Sequence, residues 1–148
     1  MAFLSSMDIS GSALTAERVR MDVISENIAN ASTTRTEEGG PYRRKMVVFE
    51  QVGEQKSFRR ILEDNLNKTE QSQGGVRVAS IVEDPSEFNM VYDPTNPEAD
   101  TNGYVKMPNV DQTKETLDMM SSTTSYNANL TAFNAIKTMA SRALEMGR

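Results

Sequence analysis

The stretch SENIANASTTRTEEGGPYRRKMVVFE, residues 25–50, decides the fold, because a helix ends within it and an extended segment begins. Asn27, Asn30 and the Ser and Thr residues after them have short polar side chains that bond the nearby backbone and compete with helical hydrogen bonds. Gly39, Gly40 and Pro41 then prevent the helix from continuing. Residues 42–49 are basic, then β-branched and aromatic, which favours a strand.

Both ends of the chain have the seven-residue apolar spacing of long amphipathic helices. Residues 9–33 are predicted to form the first helix and residues 110–147 the second. The apolar positions that define the first helix are Met7, Leu14, Met21 and Ile28. Those of the second are Met119, Tyr126, Phe133 and Ala140, with Leu130 and Ile136 in neighbouring rows. Gly147 lies where the second helix would stop.

The middle of the chain is predicted to be rich in strands and loops. Strand candidates are residues 42–49, 76–82, 88–92 and 104–107, and Asn102-Gly103 suits a type I′ hairpin turn before the last of them. Residues 56–69 are ambiguous between a short helix and a loop. The predicted fold class is therefore α+β, with terminal helices (residues 1–33 and 110–148) paired in a coiled-coil-like bundle and a small β-rich segment (residues 34–109).

Composition limits the function more than it reveals it. The chain has 148 residues, a formal net charge of −5, and neither Cys nor His. Disulfides, Cys/His zinc sites and the common nucleophile–histidine systems are thereby excluded. The acidic balance argues against nucleic acid, and no apolar run is long enough to span a membrane. We therefore expect no catalytic residue, no metal and no cofactor.

Apolar residues are too few to bury two long helices within one copy. Leu, Ile, Val and Phe together number 29 of 148, which is close to the range of chains that do not fold alone. One interpretation is that partners cover the apolar helix faces. The other is a small domain with flexible ends.

Two charged clusters have a functional and a plain interpretation. Asp93, Glu98 and Asp100 could bind calcium weakly, but the spacing is not that of an EF-hand loop, which favours a solvated acidic turn. Residues 43–45, RRK, could dock on an acidic surface or could protect a strand edge by charge, and we favour the second.

The second helix is unusually polar and small along its length, which is typical of a helix contacted on more than one side. The residues concerned are Thr123, Thr124, Ser125, Asn127, Ala128, Asn129, Thr131, Ala132, Asn134, Ala135 and Thr138.

Three segments resemble the flagellar rod and hook axial proteins, most closely the proximal-rod members. They are ISGSALTAERVRMDVISENIANASTTRTEEGGPYRRKMVVFE, GGVRVASIVEDPSEFNMVYDPTNPEADTNGYVKMPNV and SYNANLTAFNAIKTMASRAL. GGPYRRK, MVYDPTNPEAD and GYVKMPNV carry the more specific part of the resemblance. The motif positions are Gly40, Pro41, Tyr42, Arg43, Tyr92, Asp93, Pro94, Gly103 and Tyr104.

The resemblance implies a structural subunit of the basal-body rod, which crosses the periplasm and transmits motor torque. It implies export by the flagellar type III apparatus, self-association in a helical assembly, and contacts with other rod proteins and the rod–membrane-ring adaptor. It implies neither nucleic-acid binding nor stable membrane insertion.

We expect the terminal helices to supply the assembly interface, because their apolar stripes need partners. The expected residues are Met7, Leu14, Met21, Asn27, Ile28, Asn30, Tyr126, Asn129, Leu130, Phe133 and Ile136.

Three alternatives remain at this point. The chain could be another rod or hook-type axial protein, although residues 75–110 argue against it. It could be a secreted helical binding module that is a stable monomer. It could be an enzyme, which would need a titratable pair built only from Asp, Glu, Lys and Tyr.

Overall fold

The computed structural model describes residues 2–37, 39–52 and 74–146, and for residues 2–4 it describes the backbone only. Within these residues there are two helices, α1 (Ala2–Ala29) and α2 (Gln112–Met146). Four strands lie between them: β1 (Lys45–Gln51), β2 (Val76–Glu83), β3 (Asn89–Tyr92) and β4 (Tyr104–Met107). The predicted α+β architecture, with long terminal helices and a strand-containing middle, is confirmed.

The two helices pack against each other in antiparallel directions. Asn27 at the end of α1 bonds Glu115 at the start of α2, and Met21 meets Thr123 two turns further along α2. At about 1.5 Å per residue, α1 is about 42 Å long and α2 about 52 Å. Small side chains permit this approach, since Ser10, Ala16 and Ser122 are all buried.

The strands form two separate antiparallel pairs instead of one sheet. β1 pairs with β2 from Lys45 opposite Glu83 to Gln51 opposite Val76, with an irregularity between Val48 and Phe49. β3 pairs with β4 from Asn89 opposite Met107 to Tyr92 opposite Tyr104. The β1–β2 pair also packs on α1, so α1 is covered by α2 on one side and by strands on another.

The first predicted helix was wrong at both ends. It begins seven residues earlier than residue 9 and passes through Gly11. It ends at Ala29 instead of residue 33, because the Asn30 side chain donates to the Glu26 carbonyl and Thr33 N–H bonds the Asn30 carbonyl. These local bonds replace the next helical turn.

The predicted type I′ turn at Asn102-Gly103 was also wrong. An eleven-residue connection, 93–103, joins β3 to β4. It closes by a four-residue turn in which Gly103 N–H donates to the Asp100 carbonyl at 2.7 Å. Asp first and Gly fourth is the composition of a type I turn. The proposed short helix or loop at residues 56–69, and the stop at Gly147, lie outside the described residues.

The described core is small and lies where the helices meet the strands. The buried apolar residues are Ala16, Val23, Ile24, Tyr42, Val105 and Val110. Many larger apolar side chains are exposed instead, among them Leu117 at 63% and Met120 at 62%. Exposed apolar surface on this scale indicates an interaction surface.

Candidate assembly surfaces

The helix pair is joined to the strands through the buried amide of Asn27, which is 1% exposed. Its Nδ2 donates to the Lys45 carbonyl and to Glu115 Oε2, both at 2.9 Å. Its Oδ1 accepts from Lys45 N–H at 2.9 Å and from the Tyr42 hydroxyl at 3.0 Å. One side chain therefore ties the end of α1 to the start of β1 and the first turn of α2.

Arg44 completes this connection from the other side of Glu115. Its Nε donates to Glu115 Oε1 at 2.6 Å, and its other guanidinium nitrogens lie 3.3 Å from Asp84 Oδ2 and 3.7 Å from Asp118 Oδ2. The Glu115 side chain is fully buried, so Arg44 and Asn27 supply the partners that its charge requires. We call the set Asn27, Tyr42, Arg44, Asp84, Asn109 and Glu115 the polar junction.

Asn109 extends the polar junction to the segment before α2. Its Oδ1 accepts from Arg44 N–H at 2.8 Å, and its Nδ2 donates to Ser86 Oγ at 2.8 Å. Arg43 supports the same segment, because it donates to the Asp84 carbonyl at 2.8 Å and lies 4.3 Å above the Phe88 ring. The junction thus holds α1, α2, β1 and the end of β2 in one relative arrangement.

The pKa values in the junction follow from burial and from these bonds. Burial, and then the charges of Glu26, Glu115 and Glu83, raise the pKa of Tyr42 to about 12. Burial lowers the pKa of Arg44, but bonding and charge from Glu115 and Asp84 outweigh it, so the pKa is raised overall. Hydrogen bonds from Ser86, and then Arg44, lower the pKa of Asp84. Each shift favours the protonation state that the junction uses.

The loop between α1 and β1 is held by glycines and lies beside the β3–β4 pair. Gly39 and Gly40 have φ of 85° and 99°, which favour glycine. Thr36 N–H and hydroxyl both donate to the Gly40 carbonyl, at 2.9 and 3.2 Å. A groove lies between this loop and β3–β4, and Gly40, Pro41, Met90 and Tyr104 are among its lining residues.

The second group of motif residues meets at one end of the β3–β4 pair. The rings of Tyr92 and Tyr104 pack edge to face with centroids 5.3 Å apart. Gly103 has φ of 79°, and a Cβ there would lie 2.9 Å from the Tyr92 ring and 3.4 Å from Pro94. Asp93 N–H donates to the Gly103 carbonyl. The structure therefore brings Tyr92, Asp93, Pro94, Gly103 and Tyr104 together.

The acidic turn shows local capping. Asp93 Oδ1 accepts from the Thr95 hydroxyl and N–H, which lowers the pKa of Asp93. Among the residues that the structure describes, no group of three acidic side chains is placed to hold a metal ion.

The predicted interface residues divide into internal and half-covered positions. Met7, Leu14, Met21 and Ile28 are half-buried, and the Met21 sulfur lies 3.7 Å from the Thr123 hydroxyl of α2. Asn27 is used within the chain, and Asn30 bonds the end of its own helix. On α2, the half-buried positions are Tyr126, Asn129, Phe133 and Ile136, whereas Leu130 is exposed at 38%.

Helix α2 has two lines of residues with alternating four- and three-residue spacing. The covered seam is buried or half-buried and consists of Glu115, Met119, Ser122, Tyr126, Asn129, Phe133, Ile136 and Ala140. The open seam is exposed at every position and consists of Leu117, Ser121, Thr124, Ala128, Thr131, Ala135 and Thr138. Their offset of two residues places them on opposite faces of the helix.

The open seam is less polar than its composition indicates. Residues 119–136 contain no charged side chain on any face. Thr124, Thr131 and Thr138 each donate their hydroxyl to the carbonyl four residues earlier, at 2.8 to 2.9 Å. With its hydroxyl bonded to its own helix, each threonine has no further proton to donate to a partner.

The sequence interpretation missed the residues that carry the junction. It assigned residues 43–45 to a charge-protected strand edge, and this was wrong for Arg44, whose side chain is 14% exposed and faces three carboxylates. Glu115, Asp84 and Asn109 gave no pattern, because the residues that they bond across the junction are 23 to 88 positions away. The one sequence signal for any of them was that Glu115 is an acidic residue in the first turn of the second helix.

Comparison with known proteins identifies relatives over the whole chain. The family described as "Flagella basal body rod protein" matches residues 7–35, and "Flagellar basal body rod FlgEFG protein C-terminal" matches residues 101–146. The chain is 51% identical to the "Flagellar basal-body rod protein FlgC" of Bacillus subtilis and 43% identical to that of Salmonella typhimurium, with full coverage of both chains in each case. It is 37% identical to that of Aquifex aeolicus over 98% of this chain and 97% of the relative.

Among the described residues, no helix is both long and apolar enough to cross a membrane.

Proposed function

The chain belongs to the FlgC family of flagellar basal-body rod proteins, and from this premise we propose how it assembles. It is a structural subunit of the rod, it is located in the basal body, and it associates with other rod proteins. The proposal is that the open seam of α2 packs against a helix pair of a neighbouring copy of this chain, so that α2 is covered on both sides.

The observation that carries the proposal is the open seam itself. A fully exposed helix face normally carries charge, because charged side chains are well solvated there. This face has small residues at each step for 18 uncharged residues, next to exposed Leu117 and Met120. Small residues allow close approach of another helix, and a rod requires subunits to contact one another. A second copy of this chain is therefore the occupant that we propose for this face.

The contact proposed here is heterologous. Within one copy, α1 already covers the opposite seam of α2, so the open seam must meet a different surface of the neighbour. Repeated heterologous contacts generate a helical tube when the rotation does not close a ring. A tube built from many such contacts would distribute the load of a turning motor, which is the torque-transmitting role that we propose.

The separation of the terminal helices from the strand-containing middle supports a domain assignment. We assign residues 1–33 and 110–148 to an inner helical layer and residues 34–109 to outer contacts. The groove beside the β3–β4 pair lies in residues 34–109, and the motif residues Gly40, Pro41 and Tyr104 line it. Export by the flagellar type III apparatus and contact with the rod–membrane-ring adaptor are included in the proposal on the family resemblance.

A matched pair of substitutions on neighbouring residues tests the open seam. Ala135→Glu places a carboxylate on the seam, where a packed neighbour would bury it without a partner at a cost of several kcal/mol. Asn134→Glu places the same charge about 100° away on the same helix. We expect Ala135→Glu to abolish motility and rod incorporation when it replaces the native chain, and Asn134→Glu to retain both.

Circular dichroism of the purified chains serves as the folding control, since both positions are exposed. Normal rods built from folded Ala135→Glu subunits would refute the assignment of this face to the interface. Equal failure of both variants would also count against it, because the effect would then not depend on the face.

A further inference from the structure

Methionine is the side chain of this molecule that oxidants attack most readily. The chain has 10 Met and neither Cys, Trp nor His. The thioether is therefore its most readily oxidised group, and oxidation turns a flexible apolar side chain into a polar one. The effect of oxidation on assembly depends on where the exposed sulfur atoms lie.

Two exposed methionines lie beside the open seam. Met120 is 62% exposed and is adjacent to Ser121, whereas Met139 is 52% exposed and is adjacent to Thr138. Met119 belongs to the covered seam and is half-buried. Met21 is half-buried too, and its sulfur lies 3.7 Å from the Thr123 hydroxyl. Oxidants in water therefore reach Met120 and Met139 of a free subunit more readily than the methionines between the helices.

We propose that Met120 and Met139 are sulfoxidation sites that control addition of a subunit, an inference that rests on the proposed function of the open seam. Hydrogen peroxide transfers one oxygen to the thioether sulfur, its O–O bond breaks, and water leaves. The sulfur is oxidised by two electrons and peroxide is reduced by two. The product is one sulfoxide per methionine and one water per peroxide.

The chemistry of the open seam explains why the added oxygen prevents packing. A sulfoxide oxygen is a strong acceptor and needs a donor when it is taken out of water. The neighbouring hydroxyls of Thr124, Thr131 and Thr138 already donate to backbone carbonyls of the same helix. The oxygen thus loses its water without gaining a donor from its own helix. In an assembled copy the neighbour covers both sulfurs, which protects them.

Peroxide treatment before and after assembly tests the inference on the full chain. Self-association is measured by sedimentation velocity, and the oxidised positions are mapped by peptide mass spectrometry. We expect free subunits oxidised at Met120 and Met139 to assemble roughly tenfold less tightly or worse, because burial of one unpaired acceptor costs a factor of about 5 to 150 and assembly would bury two. Assembled subunits should be oxidised more slowly at both positions.

Two variants separate this effect from general damage. The double variant Met120→Leu and Met139→Leu conserves volume and should keep its assembly after the same dose. Met90→Leu removes a methionine that is 53% exposed on β3, away from α2, and should give no protection. The inference is overturned if oxidised wild-type subunits assemble normally, or if the double variant is inactivated as strongly as wild type. Failure of untreated wild-type subunits to associate would instead refute the proposed function on which it rests.

Discussion

Replacement of Asn27 by Ala should cost more stability than any other single truncation on α1. The substitution removes four hydrogen bonds, those with Tyr42, Glu115 and both backbone groups of Lys45. A hydrogen bond contributes about 0.5–1.5 kcal/mol net, and a buried group left without a partner costs more. We therefore expect a loss of about 3–5 kcal/mol, a large part of the roughly 5–15 kcal/mol typical of a folded domain.

Asn30→Ala is the matched control, because it removes the same side chain three residues later in the sequence. The bonds of Asn30 are local, to the Glu26 carbonyl and the Thr33 hydroxyl. Its loss should cost no more than about 1 kcal/mol. Urea titration followed by circular dichroism at 222 nm measures both, with equal m values required for the comparison. A difference between the two variants below about 1 kcal/mol would refute the view that Asn27 joins the helices to the strands.

Asn27→Asp separates the loss of bonds from the loss of volume. It keeps an acceptor for Tyr42 and Lys45 N–H, but it replaces the donor with an oxygen facing Glu115 and the Lys45 carbonyl. Two carboxylates would then share a buried site, which raises the pKa of one of them. We expect this variant to be destabilised at pH 7 and partly restored at lower pH, where the pair can share a proton.

Three further substitutions test other features. Gly103→Ala should destabilise the chain by about 1–3 kcal/mol, because φ is 79° and the new Cβ would lie 2.9 Å from the Tyr92 ring; a loss below about 0.5 kcal/mol in a urea titration would contradict this. Ser122→Ala should stabilise the chain by about 1 kcal/mol, since the Ser122 hydroxyl is buried and has no partner among the described residues; a lower melting temperature would argue against it. Asp84 has a pKa lowered from 3.8, so its contribution is present above about pH 4 and is lost as the pH falls through the folded value. The stability difference between wild type and Asp84→Asn should therefore shrink below pH 4, and a constant difference down to pH 2 would exclude that role.

Local features of the sequence predicted most of the fold. Seven-residue spacing predicted both helices. Runs of β-branched residues predicted β1 and β2, alternation of apolar and polar residues predicted β3, and a turn signal before it predicted β4. The boundaries were less well predicted where a side chain caps the backbone, as Asn30 does. The turn before β4 was missed because Asp100, two residues before the Asn-Gly pair, supplies the carbonyl that closes it.

The polar junction could not be predicted in the same way. A buried Asn or Glu differs from an exposed one only in its partners, and those of the Asn27 and Glu115 side chains lie 15 to 88 positions away in the sequence. The charge pattern alone predicted that residues 43–45 lie at a solvent-exposed strand edge. The open seam was partly predicted, since the small polar composition of α2 indicated contacts on more than one side, but its separation from the covered seam needed the position of α1.

The antiparallel pairing of the two helices also has a consequence for timing. About 80 residues separate the end of α1 from the start of α2. At synthesis rates of about 5–20 residues per second, α1 leaves the ribosome roughly 4–16 s before its partner begins to appear. Its apolar side remains without a cover during that interval, and Asn27 has no carboxylate to bond. Any factor that recognises an unpaired amphipathic helix therefore has a window of seconds in which to capture the nascent chain before it can fold.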